Sequence, residues 1–332
     1  MVNWQLLSEQ ASAETWDSNL LQMPDYNIFQ THAWGRHRSN FGWTPLRLIA
    51  YDEGNNATAM LQVMMRRYPG NIVLLWGPGG PVGNIDAWDD SLREALVQVA
   101  QSRRVYCRIS SLRAYRSEDA FILAACSWTR CSQPLNSGLS LCLELSNEEQ
   151  YLKGMTKNWR YNLNRAKRQE QTVGLWEEPD IEEVRKVYDS MEELKGLEVQ
   201  HTAKDLLSIF QVCRDNIIAY RCLGESGEVL GLKACAVFGE KAMDLLAANA
   251  VEGRKTSASY WLSATVVAHA IKMGVTHYDL NGVDPVSNQG VFKFKKEMGA
   301  QLLEYLGEWD WSTSNWLKRA FNWAIMKRSG GM

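Results

Sequence analysis

Residues 292–296 read Phe-Lys-Phe-Lys-Lys, so aromatic rings and ammonium groups alternate over residues 292–295 and Lys296 breaks the alternation. If this segment is extended, Lys293 and Lys295 point to one side and Phe292 and Phe294 to the other. An ammonium group held near aromatic walls at the end of a strand can stabilise a developing oxyanion without a separate base or nucleophile. A sheet edge protected by lysines would show the same pattern, so both interpretations stay open.

A second candidate segment is strongly basic. Residues 157–168 read KNWRYNLNRAKR, and a helix at this place would turn Trp159, Leu163 and Ala166 inwards. Five cations would then make a basic surface: Lys157, Arg160, Arg165, Lys167 and Arg168. A solvated helix face is one interpretation of this surface. The other is a salt-sensitive contact with phosphate groups or an RNA backbone.

Histidine and glycine patterns give no further recognisable site. Neither His32 nor His37 has a cysteine or carboxylate at metal-ligand spacing, and His269 and His277 fall in a predicted helix and a predicted strand. No G-x-S-x-G elbow is present, and we predict no metal centre. The glycine-rich segment 77–83 lacks the spacing of a phosphate-binding loop, and its prolines remove amide donors. A rigid structural turn is the favoured interpretation of that segment.

The bulk composition predicts a two-domain protein of the cytoplasm. The chain has 332 residues and is 45% hydrophobic, which is enough for large cores and typical of two domains. Its net charge of -2 means that any contact with a nucleic acid needs a local basic patch. The seven cysteines lack paired spacing, and most of them are expected to be buried thiols. No signal-peptide core and no apolar run of roughly 20 residues is found.

Short apolar strands alternate with helical segments along the whole chain, which predicts an α/β (α+β) fold. In the first half, we predict strands at 46–51, 58–64, 71–76, 105–109 and 140–145 and a helix at 89–102. In the second half, we predict helices at 147–169, 181–194 and 257–273 and strands at 217–222, 229–238, 241–249 and 275–280. The repeated order of hairpin, strand, helix and strand indicates two mixed domains of related architecture.

The C-terminal part of the sequence resembles the signature of the FemABX family. That signature has a strand beginning Tyr-Asp, a Gly-[Ile/Val] pair, a loop, the motif G-x-[YF]-x-F-K-x-x-x-G, and a closing strand with a Gly-Glu pair. The matching positions are Tyr278, Asp279, Gly282, Val283, Gly290, Phe292, Phe294, Lys295, Gly299, Gly307 and Glu308. Residues 29–43, 76–84 and 157–168 resemble other landmarks of the family, so the resemblance covers most of the chain.

This resemblance implies two tandem GNAT-like acyltransferase domains in the compact form of the family, without its helical arm. Residues 1–146 with 309–332 would form the first domain, and residues 147–308 the second. The implied enzyme moves an aminoacyl group from aminoacyl-tRNA to an amine of a peptidoglycan precursor or another nucleotide- or lipid-linked cell-envelope precursor. It would need no cofactor, because the aminoacyl-tRNA is a co-substrate.

The resemblance also implies roles for single residues. Lys295 would stabilise the oxyanion, and Phe294 would be the neighbouring wall for the acceptor end of the tRNA. The implied substrate-binding residues are Arg38, Asn84, Asp86, Tyr278, Asp279, Asn281 and Lys293. The cations of the basic helix, Lys157, Arg160, Arg165, Lys167 and Arg168, would contact the tRNA.

Two alternatives from other classes remain open at this point. An acyl-CoA-dependent N-acyltransferase acting on an amino sugar or polysaccharide precursor would need a cradle of backbone amides, for which residues 253–258 are a weak candidate. A partner protein at the inner face of the membrane would use the tail 314–328. A helix there would have an apolar stripe on one face and cations on the opposite face. The stripe is Trp316, Leu317, Ala320, Phe321 and Ala324, and the cations are Lys318, Arg319, Lys327 and Arg328. Packing of this stripe on the first domain is the competing interpretation.

Overall fold

A computed structural model of the chain describes residues 3–7 and 12–329. Its strands are β1 (Asn3–Leu6), β2 (Thr44–Tyr51), β3 (Ala57–Tyr68), β4 (Ile72–Pro78), β5 (Val82–Gly83), β6 (Arg104–Ala114), β7 (Thr129–Arg130), β8 (Leu139–Glu144), β9 (Gln171–Leu175), β10 (Ile217–Gly224), β11 (Val229–Phe238), β12 (Lys241–Asn249), β13 (His277–Asp279) and β14 (Gln301–Ser312). Its α-helices are α1 (Ala13–Leu20), α2 (His32–Ser39), α3 (Asp90–Ala100), α4 (Ser117–Ala125), α5 (Glu148–Gly154), α6 (Lys157–Ala166), α7 (Ile181–Lys195), α8 (Ala203–Val212), α9 (Val251–Lys255), α10 (Ala258–Lys272), α11 (Gln289–Lys296) and α12 (Asn315–Ser329).

The chain folds as two compact units, of which the first is built from two separate stretches of sequence. It combines Met1–Gly138 with Glu304–Met332, whereas the second is the continuous stretch Leu139–Leu303. The sequence analysis placed these boundaries at 146/147 and 308/309 instead. The first boundary differs because β8, predicted as the last strand of the first domain, pairs antiparallel with β13 of the second unit.

The first unit is a mixed sheet with helices packed against it. Its strands follow the order β1-β2-β3-β4-β6-β14, with β5 on β3 and β7 on β14, and only the β4–β6 pair of this path is parallel. The predicted hairpin of β2 and β3 and the predicted helix α3 are both present. Leu92 and Leu96 of α3 are fully buried against the sheet, as a helix with one apolar face requires.

A buried ion pair ties β14 to the rest of the first unit. Nε of Arg108 on β6 donates a hydrogen bond to Oε2 of Glu308 on β14 at 2.6 Å. The other carboxylate oxygen of Glu308 accepts from the backbone amides of Leu135 and Asn136, each at 2.8 Å. Both charged side chains are almost fully buried. Glu308, which matches the glutamate of the family signature, therefore links the closing strand to β6 and to residues 135–136.

The C-terminal helix α12 packs on β6, but with a different face from the one predicted. Leu317 is buried and the ring of Phe321 stacks on Tyr106 with centroids 4.7 Å apart, which agrees with packing on the first unit. Trp316, Ala320 and Ala324 of the predicted stripe are exposed, so the stripe is divided between two sides of the helix. Lys318 does not point to solvent with the other cations but pairs with Asp310 at 2.7 Å. The side chain of Arg328 lies outside the described residues.

The second unit repeats the mixed architecture. Its sheet has the order β8-β13-β12-β11-β10-β9, in which only β12 and β13 run parallel. The predicted basic helix at 147–169 is two helices, α5 and α6, because Thr156 caps the start of α6 with its hydroxyl. Trp159, Leu163 and Ala166 are buried as predicted. The predicted α/β fold is confirmed.

Within the described residues, no helix is both long enough and apolar enough to cross a lipid bilayer.

Candidate active site

The Phe-Lys-Phe-Lys-Lys segment is helical, so the prediction of an extended segment is wrong. It forms α11, whose first turn is capped by the side chain of Asn288, and the amide of Phe292 donates to the Asn288 carbonyl at 3.1 Å. In a helix, two residues that are two positions apart point about 200° apart. Lys293 and Lys295 therefore lie on different sides of α11 instead of sharing a face.

The two lysines have different surroundings. Nζ of Lys295 donates hydrogen bonds to the carbonyl oxygens of Asn281 and Gly282, at 2.9 and 3.1 Å. Burial lowers the pKa of Lys295, and the Asp244 and Asp279 carboxylates act in the opposite direction. By contrast, the side chain of Lys293 is 74% exposed and its nearest carboxylate, that of Glu297, is 3.9 Å away. Lys295 is thus the fixed cation of this segment, and Lys293 is a surface cation.

Lys295 lies where two parallel strands part. The pairing of β12 with β13 covers only Lys241–Met243 and His277–Asp279, although β12 continues to Asn249. After β13, Asn281 adopts a left-handed backbone conformation with φ of 62°, which asparagine tolerates better than most residues. This turn directs the carbonyls of Asn281 and Gly282 towards Lys295.

A buried polar network supports this turn from inside the second unit. The carboxylate of Asp244 accepts hydrogen bonds from Nζ of Lys233 and from the hydroxyl of Tyr278, both at 2.6 Å. Its backbone carbonyl accepts from Nδ2 of Asn281 at 3.0 Å. Tyr278 is fully buried, and burial raises its pKa well above the usual range. The prediction that Tyr278 binds substrate is therefore not supported, because its hydroxyl holds Asp244 and its ring is enclosed.

Asp279 is the second carboxyl group near Lys295. Its Oδ1 accepts a hydrogen bond from Ser140 and one from the amide of Asn281, the latter at 2.7 Å. Burial raises the pKa of Asp279 to about 6, although both hydrogen bonds act to lower it. The predicted site residues Asp279, Asn281 and Lys295 are thus brought together by the structure, whereas Lys293 is not part of the group.

Phe294 belongs to an aromatic cluster that joins α11 to α6 and α10. Its ring centroid is 4.9 Å from that of Tyr260 and 5.7 Å from that of Trp159. Its carbonyl accepts a hydrogen bond from Nε1 of Trp159 at 3.1 Å. These contacts fix the orientation of α11 and hence the position of Lys295.

The basic segment 157–168, which comprises α6 and the two residues after it, presents its cations to solvent. Lys157, Arg165, Lys167 and Arg168 are exposed, and Arg160 is half-buried. In the part of the chain that the structure describes, none of the five forms an ion pair with a carboxylate. Tyr161 lies between them and is 68% exposed. The sequence analysis missed this residue, although its position four residues from both Lys157 and Arg165 places it on the same helix face.

The remaining predicted site residues lie in the first unit. The guanidinium of Arg38 is 5.3 Å from the ring centroid of Trp76 on β4. Oδ1 of Asn84 accepts a hydrogen bond from the amide of Asp86 at 3.1 Å, and both residues are exposed. Arg38, Asn84 and Asp86 belong to the first unit, whereas Lys295 belongs to the second.

Three backbone amides of the candidate cradle at 253–258 are engaged in hydrogen bonds within the chain. The backbone amides of Arg254, Thr256 and Ser257 donate to the carbonyls of Ala250, Glu252 and Arg254. Gly253 is packed so closely that an added Cβ would lie 2.1 Å from the carbonyl oxygen of Leu230. A pyrophosphate would need free amides, so this segment does not support binding of acyl-CoA here.

Lys233 and Asp244 were also missed by the sequence analysis. Each is the only charged residue within an otherwise apolar stretch of its strand, residues 230–238 or 242–248. A buried lysine and a buried aspartate on neighbouring strands are expected to pair, because burial of either charge alone is unfavourable. That pattern could have predicted the pair.

Comparisons with known proteins agree on the fold. Residues 227–324 match the model of the FemAB family, while no curated protein sequence matches the chain. Among solved structures, the chain is similar to FemX with a TM-score of 0.82 at 15% identity, covering 96% of this chain and 100% of that one.

Two further solved structures are similar to most of the chain at lower TM-scores. One is a tandem GNAT protein from the clavulanic acid biosynthesis pathway, with a TM-score of 0.58, 10% identity and coverage of 95% of this chain and 99% of that one. The other is L-PGS from Bacillus licheniformis, with a TM-score of 0.54, 14% identity and coverage of 92% and 93%. At these identities the likeness shows the fold, which is that of tandem GNAT-like domains.

Proposed function

Because residues 227–324 match the FemAB family model and the fold is similar to that of FemX, we propose that the chain is an acyltransferase of this family, which transfers an aminoacyl group from aminoacyl-tRNA to an amine of a peptidoglycan or other cell-envelope precursor. The observation that carries this proposal is the fixed ammonium of Lys295 at the point where β12 and β13 part. The same position matches the lysine of the family signature. An acyl ester bound in this opening would have its carbonyl oxygen within reach of a cation.

The geometry of Lys295 suits stabilisation of an oxyanion. A lysine ammonium has three N–H donors, and among the described residues two of them are used by the carbonyls of Asn281 and Gly282. The third donor is available to a substrate oxygen. Since the two carbonyls fix the ammonium before the reaction, little reorganisation is needed when negative charge develops.

The proposed reaction needs positioning more than acid–base chemistry. The amine nitrogen of the acceptor attacks the ester carbonyl of the donor, and a C–N bond forms while the carbonyl oxygen becomes an oxyanion beside Lys295. The C–O bond to the ribose then breaks. The proton released by the amine nitrogen is transferred to the departing ribose oxygen, so that an amide and a free tRNA hydroxyl are formed.

The surface of α6 supports tRNA as the donor. Its cations are free to contact phosphates, and Tyr161 presents an exposed ring between them. Unpaired bases stack on such rings, and the acceptor end of a tRNA is single-stranded. The candidate cradle at 253–258 gives acyl-CoA less support, because its Arg254, Thr256 and Ser257 amides already donate to carbonyls of the chain.

A donor screen with Lys295 variants tests the proposal. The chain is incubated with a cell-envelope precursor and either charged tRNA or acyl-CoA, and the product mass is measured. We expect transfer from charged tRNA only. Lys295→Met should keep the fold and acceptor binding but lower turnover by about a hundredfold or more, the scale of losing one oxyanion donor.

Lys293→Met is the matched control, because it removes an exposed ammonium from the same helix. We expect only a small loss for this variant. Near-normal turnover of Lys295→Met would contradict the catalytic role of Lys295. Transfer from acyl-CoA with none from charged tRNA would overturn the donor assignment.

A further inference from the structure

Helix α12 exposes large aromatic side chains that the fold does not cover. Trp316 and Trp323 are each 58% exposed and are seven residues apart, so they lie on the same face of the helix. Ala320 lies between them and is exposed, and Met326 beside them is 48% exposed. The opposite face packs on β6 through Leu317 and Phe321. The helix therefore has apolar side chains on its packed face and a second set of apolar side chains on its open face.

The charges around this open face are all positive. No aspartate or glutamate occurs in residues 311–332. Arg319 and Lys327 are exposed, and Nζ of Lys327 lies 5.2 Å from the ring centroid of Trp323. Among the described residues, neither cation has a carboxylate partner, unlike Lys318, which pairs with Asp310 on the packed side.

The segment next to α12 extends the positive charge. Tyr68 at the end of β3 contacts Phe321, with ring centroids 6.1 Å apart, and is itself 41% exposed. Arg67 and Arg104 flank the same turn, and Arg104 donates to the carbonyl of Gly70 at 2.9 Å. The residues that join β3 to β4 and lead into β6, 66–71 and 101–106, include no carboxylate.

We propose that the open face of α12 docks on an anionic lipid surface. Tryptophan rings settle at the boundary between headgroups and acyl chains, and lysine and arginine beside them are attracted to anionic headgroups. A second copy of the chain is a poorer occupant, because a symmetric contact would bring Arg319 and Lys327 of both copies together with no carboxylate between them. This inference is independent of the proposed transfer reaction.

Vesicle sedimentation tests the lipid surface directly. The full chain is mixed with vesicles of phosphatidylcholine alone, or with vesicles of equal parts phosphatidylcholine and phosphatidylglycerol, and the bound fraction is measured. We expect binding to the anionic vesicles that weakens as salt is added. The double variant Trp316→Ser with Trp323→Ser, and the double variant Arg319→Gln with Lys327→Gln, should each reduce this binding by roughly tenfold or more.

Phe121→Ser is the matched control, because Phe121 on α4 is 74% exposed without being part of the α12 face. We expect its vesicle binding to be unchanged. Equal binding to both kinds of vesicle, or the same loss in Phe121→Ser, would overturn the proposal. A dimer in solution that disappears in the tryptophan double variant, without vesicle binding by the parent chain, would identify a second copy as the occupant instead.

Discussion

The sequence can place Asp279 in the candidate site without predicting the pKa of its carboxyl group. The resemblance to the family signature pointed to this carboxyl and to Lys295, but neither burial nor hydrogen bonding can be read from a motif. In the structure, burial dominates over the hydrogen bonds from Ser140 and Asn281 and raises the pKa of Asp279 to about 6. The charge beside Lys295 therefore changes within a mildly acidic range of pH.

The stability of the protein should respond to this shift. Because the folded pKa of Asp279 lies above its ordinary value near 4, the folded state holds this proton more tightly than the unfolded state. The stabilisation is fully present below about pH 4 and is lost as the pH rises through about 6. In Asp279→Asn this titration is absent. We expect the free energy of unfolding of the parent chain to fall relative to that of Asp279→Asn by up to about 3 kcal/mol across this window.

Urea unfolding of both proteins, measured at several pH values between about 4 and 7, checks this expectation. Parallel stability curves for the two proteins would show that Asp279 has an ordinary pKa in the folded state.

Helix α11 shows why the site could be located from sequence but not built from it. The alternation of rings and ammonium groups over residues 292–295 fits a strand, and the sequence analysis took it as one. The helical conformation is favoured by a local interaction, the cap by Asn288, and by contacts with residues distant in sequence. Phe294 contacts Trp159 and Tyr260, which are remote in sequence, and these contacts orient α11. The pattern alone contained no information about either partner.

Helix α6 was predicted more completely, because its buried residues follow a helical period. Its function can be tested by separating stacking from charge. We expect Tyr161→Ser to weaken binding of uncharged tRNA roughly fivefold to a hundredfold, the range for losing one base stack, with an unchanged salt dependence. Arg165→Gln, one turn along the same face, should instead flatten the dependence of log affinity on log salt by roughly 0.7 to 0.9.

The test uses affinities measured over a salt series for the parent chain and both variants. Tyr161→Phe is the control, since it keeps the ring and should bind normally. Equal losses in Tyr161→Phe and Tyr161→Ser would contradict stacking, and an unchanged salt slope in Arg165→Gln would place the phosphate contacts elsewhere.

At the scale of the whole molecule, the alternation of strands and helices predicted two related α/β units, and the structure has them. The boundaries could not be predicted in the same way. β8 follows the first unit in sequence, yet its pairing partner β13 lies more than a hundred residues later. Pairing between distant strands depends on the complete fold and leaves no local pattern.

The buried pair of Arg108 and Glu308 should contribute strongly to the stability of the first unit. Glu308→Gln would keep the size of the side chain but leave the buried guanidinium of Arg108 without a counter-charge. We expect the free energy of unfolding to fall by about 3 kcal/mol, as in other buried pairs that lose one partner. Glu304→Gln on the same strand is the control, because its pair with Arg130 is about half exposed and should contribute less than about 1 kcal/mol.

Urea unfolding of the two variants provides the comparison. Similar small losses in both would mean that Arg108 finds another partner when Glu308 is neutral.

The construction of the first unit from two stretches of sequence also affects the order of events during synthesis. Every strand of the continuous second unit is translated before β14 is complete. Until then β6 has an open edge, and Arg108 has no contact with Glu308. The part of the protein that is made first is therefore the last to be finished. A nascent chain that pauses on the ribosome would expose one edge of β6. Exposed strand edges promote aggregation, and incompletely folded chains that carry them depend on chaperones.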